Sequence, residues 1–404
     1  MKKILVWLLC VAMVLSMAAC GQTEEETAAA ETDTAAAETD TAAAESDAAA
    51  EADAAAAQAE AMAAYEAAMK AYEEALATLG SKLGAYDADA VVMTINGQEI
   101  TWDVYFCMIC TSVSAYVNQM GVLPSDFTVQ VTEDMTLDEA FKGSADEYLR
   151  YCAATAFEAA ERGITIDSET QTELDSAWED ICEQEGGEEA LVEKLNLQGI
   201  TKNSFFYYTN IDALCEPLAT AIYGSSEDIT DEQAEEWAAK NNQVRAKHIL
   251  LMTQDGSEEE KAEIRSEMEA ILAELQALVG DNAALEARFD EIMNEKSEDT
   301  GLAAYPEGYV FGTGEMVPEF ETAAFALEPY GLSEIVETSY GFHILLKLPM
   351  EASVNVEFDG QNYTTLADKV RASLFAEDRA KWAEEAEVVF TDAFADFTVG
   401  SLFA

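Results

Sequence analysis

From residue 90 to residue 240 the apolar positions change from a two-residue to a helical period. The stretch "AVVMTINGQEITWDVYFCMI" (90–109) predicts a short strand, a turn at Asn96-Gly97, a second strand, and a helix that begins after Thr101. The segments that follow have helical periods, and the first of them starts with the capping-box spacing of Thr136 and Glu139. Residues 90–242 are therefore predicted to be a mainly helical domain.

After residue 242 the pattern changes again. "QVRAKHILLMT" is β-branched and apolar and predicts a strand, whereas 257–293 has the period of amphipathic helices. A loop, a short helix over 318–327 and the strand "GFHILLKL" complete the order of a small α+β domain, which we place at 243–350. Residues 351–404 predict a strand and a helix that pack back on the helical domain.

The segment before residue 90 divides into two parts. Residues 20–60 are an acidic, alanine-rich repeat without large apolar side chains, which predicts a disordered tether. Residues 61–89 predict an amphipathic helix, with its apolar stripe at Met62, Tyr65, Met69, Tyr72, Leu76 and Leu79. The stripe can dock on the folded body or pair with a copy of itself in a homodimer, and the pattern is compatible with both.

The first residues have the pattern of an export signal. Lys2 and Lys3 precede an apolar run over 4–17 that is too short for a comfortable membrane span. Small residues then precede Cys20. This arrangement resembles the lipobox of bacterial lipoproteins. The resemblance implies a signal peptide over 1–19, lipidation at Cys20, and a protein anchored on the extracytoplasmic face of the cell membrane. An ordinary secretory signal with an incidental cysteine is the alternative.

Charge and cysteine content exclude several classes of function. The net charge of -59, from 80 acidic and 21 basic residues, repels phosphate backbones and excludes nucleic acid as a partner. Five cysteines remain after Cys10 and Cys20, and an odd number does not predict a disulfide framework. "CMIC" (107–110) lies in an apolar run without nearby histidines, so it predicts core cysteines rather than a metal site, with a redox pair as the alternative.

The two histidines of the chain occur in the same tetrapeptide, His-Ile-Leu-Leu, beginning at His248 and at His343. On a strand, each histidine and the second following leucine share one face. If the two strands are neighbours, both imidazoles can meet on that face as a hydrogen-bonded pair. A satisfied core histidine is the usual alternative for either residue alone.

Three separated motifs carry a family resemblance: "VRAKHILL", "GEMVPEFETAAFAL" and "VETSYGFHILLKL". In this order they resemble the parvulin-type peptidyl-prolyl isomerases, and with the lipobox and "VVMTINGQEIT" the chain resembles the PrsA and SurA group of extracytoplasmic foldases. The resemblance implies an α+β fold, in which a small antiparallel sheet with surrounding helices is inserted in a mainly α-helical chaperone-like domain. It implies unfolded or partly folded exported polypeptides as partners, and neither a cofactor nor a metal.

The same resemblance implies roles for individual residues. His248 and His343 would form a dyad beneath the substrate amide, Thr338 would supply a hydroxyl beside it, and Asp299 would face the rotating carbonyl. The implied proline pocket is lined by Met316, Phe320 and Phe311.

Two departures from the family pattern bear on substrate and mechanism. Where many parvulins have a "GGDLGWF"-like run, this chain has "YPEGYVF" (305–311), so Gly308 beside Tyr309 replaces the expected pocket leucine. Between 243 and 350, 7 basic residues stand against 22 acidic ones, which argues against selectivity for phosphorylated Ser/Thr-Pro. The sequence thus predicts a peptidyl-prolyl isomerase, with a non-catalytic holdase carrying a degenerate parvulin module as the alternative.

Overall fold

The structure is a computed structural model that describes residues 62, 67, 70, 73–253, 256–358 and 362–403. The predicted signal peptide, the lipidation site Cys20 and the tether lie outside the described residues. Two compact units are present. Unit 1 contains the described residues up to Leu218 and those after Asp378, and unit 2 is Ala219–Asp378. Within the described ranges, none of the helices combines the length and apolarity needed to cross a bilayer.

The strands, in chain order, are β1 (Val91–Ile95), β2 (Gln98–Thr101), β3 (Gln130–Thr132), β4 (Met135–Thr136), β5 (Val244–Met252), β6 (Tyr309–Phe311), β7 (Val336–Glu337), β8 (Gly341–Leu348), β9 (Asn355–Phe358), β10 (Tyr363–Thr365) and β11 (Val388–Phe390).

The longer helices are α1 (Trp102–Met120), α2 (Leu137–Glu161), α3 (Ser168–Gln184), α4 (Glu188–Asn196), α5 (Lys202–Tyr223), α6 (Asp231–Lys240), α7 (Glu258–Gln276), α8 (Asn282–Lys296), α9 (Pro318–Ala326) and α10 (Leu366–Glu385). Further helix covers 73–80, and short 3-10 turns cover Ser81–Ala85, Ser226–Asp228 and Val399–Leu402.

Unit 1 is built on a small sheet and a buried helix. β1 and β2 form the predicted hairpin, and the turn residues Asn96 and Gly97 have positive φ angles of 51° and 77°, as such a tight turn requires. On its other side β1 pairs antiparallel with β11, which lies almost 300 residues later in the chain. The helix α1 follows β2 directly, and most of its side chains are buried in the core.

The amphipathic helix before β1 contacts this core through the part that the structure describes. Leu79 is 1% exposed and belongs to the core cluster of unit 1. Gly80 lies so close to the backbone of Leu197 that a Cβ atom has no room there. The C-terminal end of the stripe therefore docks on the folded body.

The cysteines on α1 are core residues. Cys107 and Cys110 are buried free thiols, and burial raises the pKa of Cys107 to about 12 and the pKa of Cys110 well above its ordinary value. A reactive thiol needs a stabilised thiolate, which this environment disfavours. The geometry supports core packing rather than a redox pair.

Unit 2 centres on an antiparallel sheet with the strand order β6-β5-β8-β7. One face, which includes Ile249 and Ile344, packs against α7 and α8. The opposite face, which includes Ala246 and Leu345, packs against α9. Helices on a small antiparallel sheet confirm the predicted α+β class.

The segment 351–404, predicted as one tail, divides between the units. Leu366 and Val370 of α10 pack with Trp237 of α6 inside unit 2. β11 and Phe394 belong to the sheet and the core of unit 1.

Candidate functional site

The central strands of unit 2 bring the two histidines to one face. In the antiparallel register of β5 and β8, His248 lies opposite Leu345 and His343 lies opposite Leu250. The histidines are thus diagonal neighbours, two positions apart, and diagonal pairs are within reach of ring side chains. Their ring centroids are 5.3 Å apart and the rings are inclined by 72°.

The predicted hydrogen bond between the imidazoles is wrong. Among the described residues, both ring nitrogens of His248 and Nδ1 of His343 are buried without a hydrogen-bond partner. The diagonal register places the rings edge to face, an arrangement in which the nitrogens do not point at each other. The sequence correctly predicts the shared face but not the contact.

Thr338 is the hydrogen-bond partner of His343. Its Oγ1 lies 2.8 Å from Nε2 of His343, across the turn that precedes β8. The threonine is fixed by the same turn, since its N–H donates to the carbonyl of Gly341 and its Oγ1 accepts from the N–H of Tyr340. Thr338 therefore orients one of the two imidazoles, in the place that the family resemblance implies.

Asp299 approaches the other imidazole. Its Oδ2 is 3.5 Å from Nε2 of His248, and its side chain is only 17% exposed. The loop that carries it is anchored on β5, because Ser297 Oγ accepts from the N–H of Leu250 and the N–H of Glu298 donates to the carbonyl of Leu250. This anchoring directs the side chain of Asp299 toward the histidines.

The aromatic residues of the expected proline pocket lie together beside the histidines. Phe320 of α9 meets His248 edge to face at 5.1 Å and His343 at 5.5 Å between ring centroids. Phe311 of β6 is 5.7 Å from Phe320, and the half-buried Met316 packs on the same cluster. All three implied pocket residues are therefore adjacent to the histidine face.

Tyr309 is a site residue that the sequence did not predict. Its ring is parallel to that of His248, with an interplanar angle of 6° and centroids 5.7 Å apart. Its hydroxyl donates to Oδ2 of Asp299 at 2.7 Å. A signal was available: on a strand, residue 309 shares a face with Phe311, which was already assigned to the pocket.

Gly308 explains why the expected leucine is absent. Its φ of +97° favours glycine, and a Cβ atom there would lie 2.9 Å from the carbonyl oxygen of Ala246. The chain approaches β5 too closely for a leucine at this position. Tyr309 supplies the ring beside His248 instead.

The electrostatics of the site favour neutral imidazoles. Burial lowers the pKa of His248, and the Asp299 carboxylate opposes this effect. Burial and then the neighbouring His248 lower the pKa of His343 to about 4, again opposed by Asp299. Burial and the bond to Asp299 raise the pKa of Tyr309, so its hydroxyl remains a donor. Near neutral pH the site thus holds two neutral rings beside an acid.

Comparison with known proteins agrees with this geometry. Residues 248–348 match the family model described as Rotamase, PPIC-type PPIASE domain. These residues form a parvulin domain. The predicted resemblance to the parvulin-type isomerases is confirmed for these residues.

Curated relatives extend the likeness beyond the parvulin domain. Over 223 residues the chain is 30% identical to the foldase protein PrsA of Halalkalibacterium halodurans. This match covers 53% of this chain and 58% of that protein. Over 121 residues it is 37% identical to the foldase protein PrsA of Oceanobacillus iheyensis. This match covers 29% of this chain and 34% of that protein. The chain thus spans about half or less of these relatives' lengths.

Among solved structures, the parvulin NmPin of Nitrosopumilus maritimus is 29% identical. The match covers 26% of this chain and 96% of that chain, with a TM-score of 0.19.

Proposed function

We propose that this protein is an extracytoplasmic foldase that catalyses cis-trans isomerisation of X-Pro peptide bonds in exported polypeptides. The main support for the proposal is the pair of neutral histidines on one sheet face. Phe320 packs against both rings, and Asp299 lies beside His248. The family of the parvulin domain agrees with it.

The reaction makes modest chemical demands. The barrier to rotation about an X-Pro bond is about 18–20 kcal/mol, and no bond is broken. A site accelerates the reaction when it binds the twisted amide better than either planar form. An apolar pocket for the proline ring and oriented polar groups around the carbonyl meet this demand without a nucleophile.

The residues of the site divide this work. Phe320, Phe311 and Met316 offer the apolar surface for the proline ring. His248 and His343 form the floor beneath the amide. Because both are neutral, they place no charge under the amide nitrogen, which becomes more basic as resonance is lost.

Asp299 acts on the other end of the amide. In the planar amide the carbonyl oxygen carries partial negative charge, which decreases as the bond twists. A carboxylate close to that oxygen disfavours the planar form relative to the twisted one. The low exposure of Asp299 strengthens this effect, because fewer waters screen the charge.

The decisive experiment is a protease-free exchange assay on a proline-containing peptide, with the full chain. The double variant His248→Ala, Asp299→Ala is expected to lose at least roughly 100-fold in catalysed exchange. Glu295→Ala, an exposed acid on α8, is the matched control and retains activity. Unaltered activity in the double variant would contradict the enzymatic proposal and would favour a non-catalytic chaperone.

We also propose chaperone activity toward unfolded or partly folded exported polypeptides, located in the helical domain at residues 90–242. The likeness to PrsA foldases beyond the parvulin domain supports it. The same double variant tests it separately: it is expected to suppress aggregation of an unfolded client as well as the unaltered chain does. Loss of both activities together would contradict this division of labour.

The proposed location is the extracytoplasmic face of the cell membrane, through a lipid on Cys20. Support comes from the basic start, the short apolar run and the small residues before the cysteine. A lipid anchor of more than one chain holds a protein stably at a membrane. Cys20→Ser is expected to move the protein from the membrane fraction to the medium, and continued membrane retention would contradict the anchor.

A further inference from the structure

We propose that Tyr309 is a positioning residue of the parvulin site, which holds the Asp299 carboxylate through its hydroxyl and covers His248 with its ring. This inference rests on the proposed isomerase function for its effect on rate, but not for its structural content. It gives a role to the Gly308-Tyr309 pair that replaces the expected pocket leucine.

Both oxygens of the Asp299 carboxylate accept hydrogen bonds from residues other than His248. Oδ1 accepts from the N–H of Gly301 at 3.1 Å, and Oδ2 accepts from the hydroxyl of Tyr309 at 2.7 Å. Nε2 of His248 lies 3.5 Å from the same Oδ2, beyond the range of a good N–H···O bond. The carboxylate is thus held at both oxygens by groups other than the histidine.

Three rings pack against the imidazole of His248. Its ring lies parallel to that of Tyr309, while Phe320 and His343 meet it at steep angles of 87° and 72°. Both of its ring nitrogens are buried without a hydrogen-bond partner in the described part of the chain. Packing, rather than hydrogen bonding, therefore fixes this imidazole, and Tyr309 provides one of the three rings that pack on it.

The contact between Tyr309 and Asp299 affects the charge state of His248. A carboxylate that hydrogen-bonds directly to an imidazole stabilises the imidazolium form. The bond from Tyr309 occupies Oδ2, the carboxylate oxygen that lies 3.5 Å from Nε2 of His248. The tyrosine therefore limits how far Asp299 stabilises the charged form of the buried His248, and it leaves Asp299 oriented toward the place where the substrate carbonyl would lie.

The groups that face His248 come from four elements. They are Asp299 from the loop after α8, Tyr309 from β6, His343 from β8 and the uncharged Phe320 from α9. The adjacent Lys247 faces the other side of the sheet, where its Nζ is paired with Glu286 and Asp290 of α8. The charge that faces His248 is therefore that of Asp299.

The chain is well suited to a direct test, because it contains only two histidines. Each gives one imidazole titration curve by NMR in the full chain, and His343→Gln assigns them. Tyr309→Phe keeps the ring but removes the hydroxyl. Tyr305→Phe is the matched control, since the Tyr305 ring lies 5.0 Å from that of Tyr309.

In Tyr309→Phe the freed Oδ2 can accept from Nε2 of His248, so the titration midpoint of His248 is expected to rise by roughly one pH unit. Adding Asp299→Asn is expected to cancel the rise, and Tyr305→Phe is expected to leave the midpoint unchanged. Catalysed exchange is expected to fall roughly tenfold in Tyr309→Phe, less than for loss of a group that touches the substrate.

The outcomes separate this inference from the proposed function. A folded Tyr309→Phe whose His248 midpoint does not rise overturns the positioning role, whatever its activity. A rise that survives Asp299→Asn also overturns it, because Asp299 would then not be the cause. If the midpoint rises as expected but the unaltered chain does not catalyse exchange, the positioning role stands and the isomerase proposal fails.

Discussion

The hydroxyl of Thr338 and Nε2 of His343 are 2.8 Å apart, five residues from each other across the turn that enters β8. The contact gives His343 the hydrogen bond that it does not receive from His248. One of the two imidazoles is thus held by hydrogen bonding and the other by packing.

Thr338→Val tests this contact. Valine keeps the shape of threonine but leaves Nε2 of the buried His343 unpaired, which is expected to cost about 1–3 kcal/mol in the free energy of unfolding. Hydrogen exchange of the β8 amides in the native state measures this free energy locally. Thr338→Ser retains the hydroxyl and is expected to lose less than about 1 kcal/mol, so equal losses in both variants would contradict the role of the hydrogen bond.

The lowered pKa of His343 predicts a pH dependence of stability. Above the unfolded value of about 6.5, the imidazole is neutral in both states. Between that value and the folded pKa of about 4, only the unfolded chain takes up the proton, so the free energy of unfolding falls as the pH falls. The full effect of this one group is on the order of 3 kcal/mol.

Many carboxyl groups also titrate in acid, so the comparison requires a variant. The difference in unfolding free energy between the unaltered chain and His343→Gln is expected to decrease from about pH 7.5 to about pH 5. Hydrogen exchange of β5 and β8 amides provides the measurement. A difference that stays constant or grows on acidification would show that His343 is not held neutral.

Alanine substitutions at Gly308 and Gly314 distinguish the cost of backbone strain from the cost of a steric conflict. Both have positive φ angles, +97° and +88°, but a Cβ atom at 308 would meet the carbonyl of Ala246 whereas one at 314 meets open space. Gly314→Ala is expected to cost about 1 kcal/mol in unfolding free energy, and Gly308→Ala roughly 2–3 kcal/mol. Urea unfolding, followed through the unit 2 amides, measures both, and equal costs would remove the explanation given for the missing leucine.

In unit 1, the buried carboxylate of Asp103 is predicted to contribute to stability. This carboxylate is 2% exposed and accepts hydrogen bonds from the N–H of Val104 and from the side chains of Thr101, Thr201 and Asn203. Asp103→Ala leaves the buried N–H of Val104 and the partly buried hydroxyls of Thr101 and Thr201 without this acceptor. The expected cost is roughly 3 kcal/mol.

The matched control is Asp167→Ala at the exposed N-terminus of α3, where the carboxylate caps two backbone N–H groups. Its expected cost is about 1 kcal/mol. Exchange of α1 and α3 amides reports both variants, and a cost at Asp103 no larger than at Asp167 would contradict its role as a buried acceptor.

The sequence predicted the central strands β5 and β8, the helices that pack on them and the shared face of the two histidines, because these follow from local periodicity. It did not predict β6, which begins at Tyr309 where a loop was expected. It did not predict the register of β5 and β8, which depends on the packing of the whole sheet and decides how His248 meets His343. Tyr309 was missed because its partner Asp299 is ten residues away across a loop whose path depends on Gly308. Asp103 was missed for a similar reason. Two of its donors, Thr201 and Asn203, lie about 100 residues later in the chain, and no periodic pattern indicates that they meet Asp103.

The pairing of β1 with β11 has a consequence for the order of folding. Synthesis proceeds from the N-terminus, and domains generally fold as units when their residues are available. Unit 2 has all its residues once Asp378 has been made, whereas the sheet of unit 1 lacks its third strand until Phe390 follows. β1, the first strand of the described residues, is thus among the last to be fully paired, so in each newly made molecule the parvulin domain can be complete while the sheet of unit 1 is still unfinished.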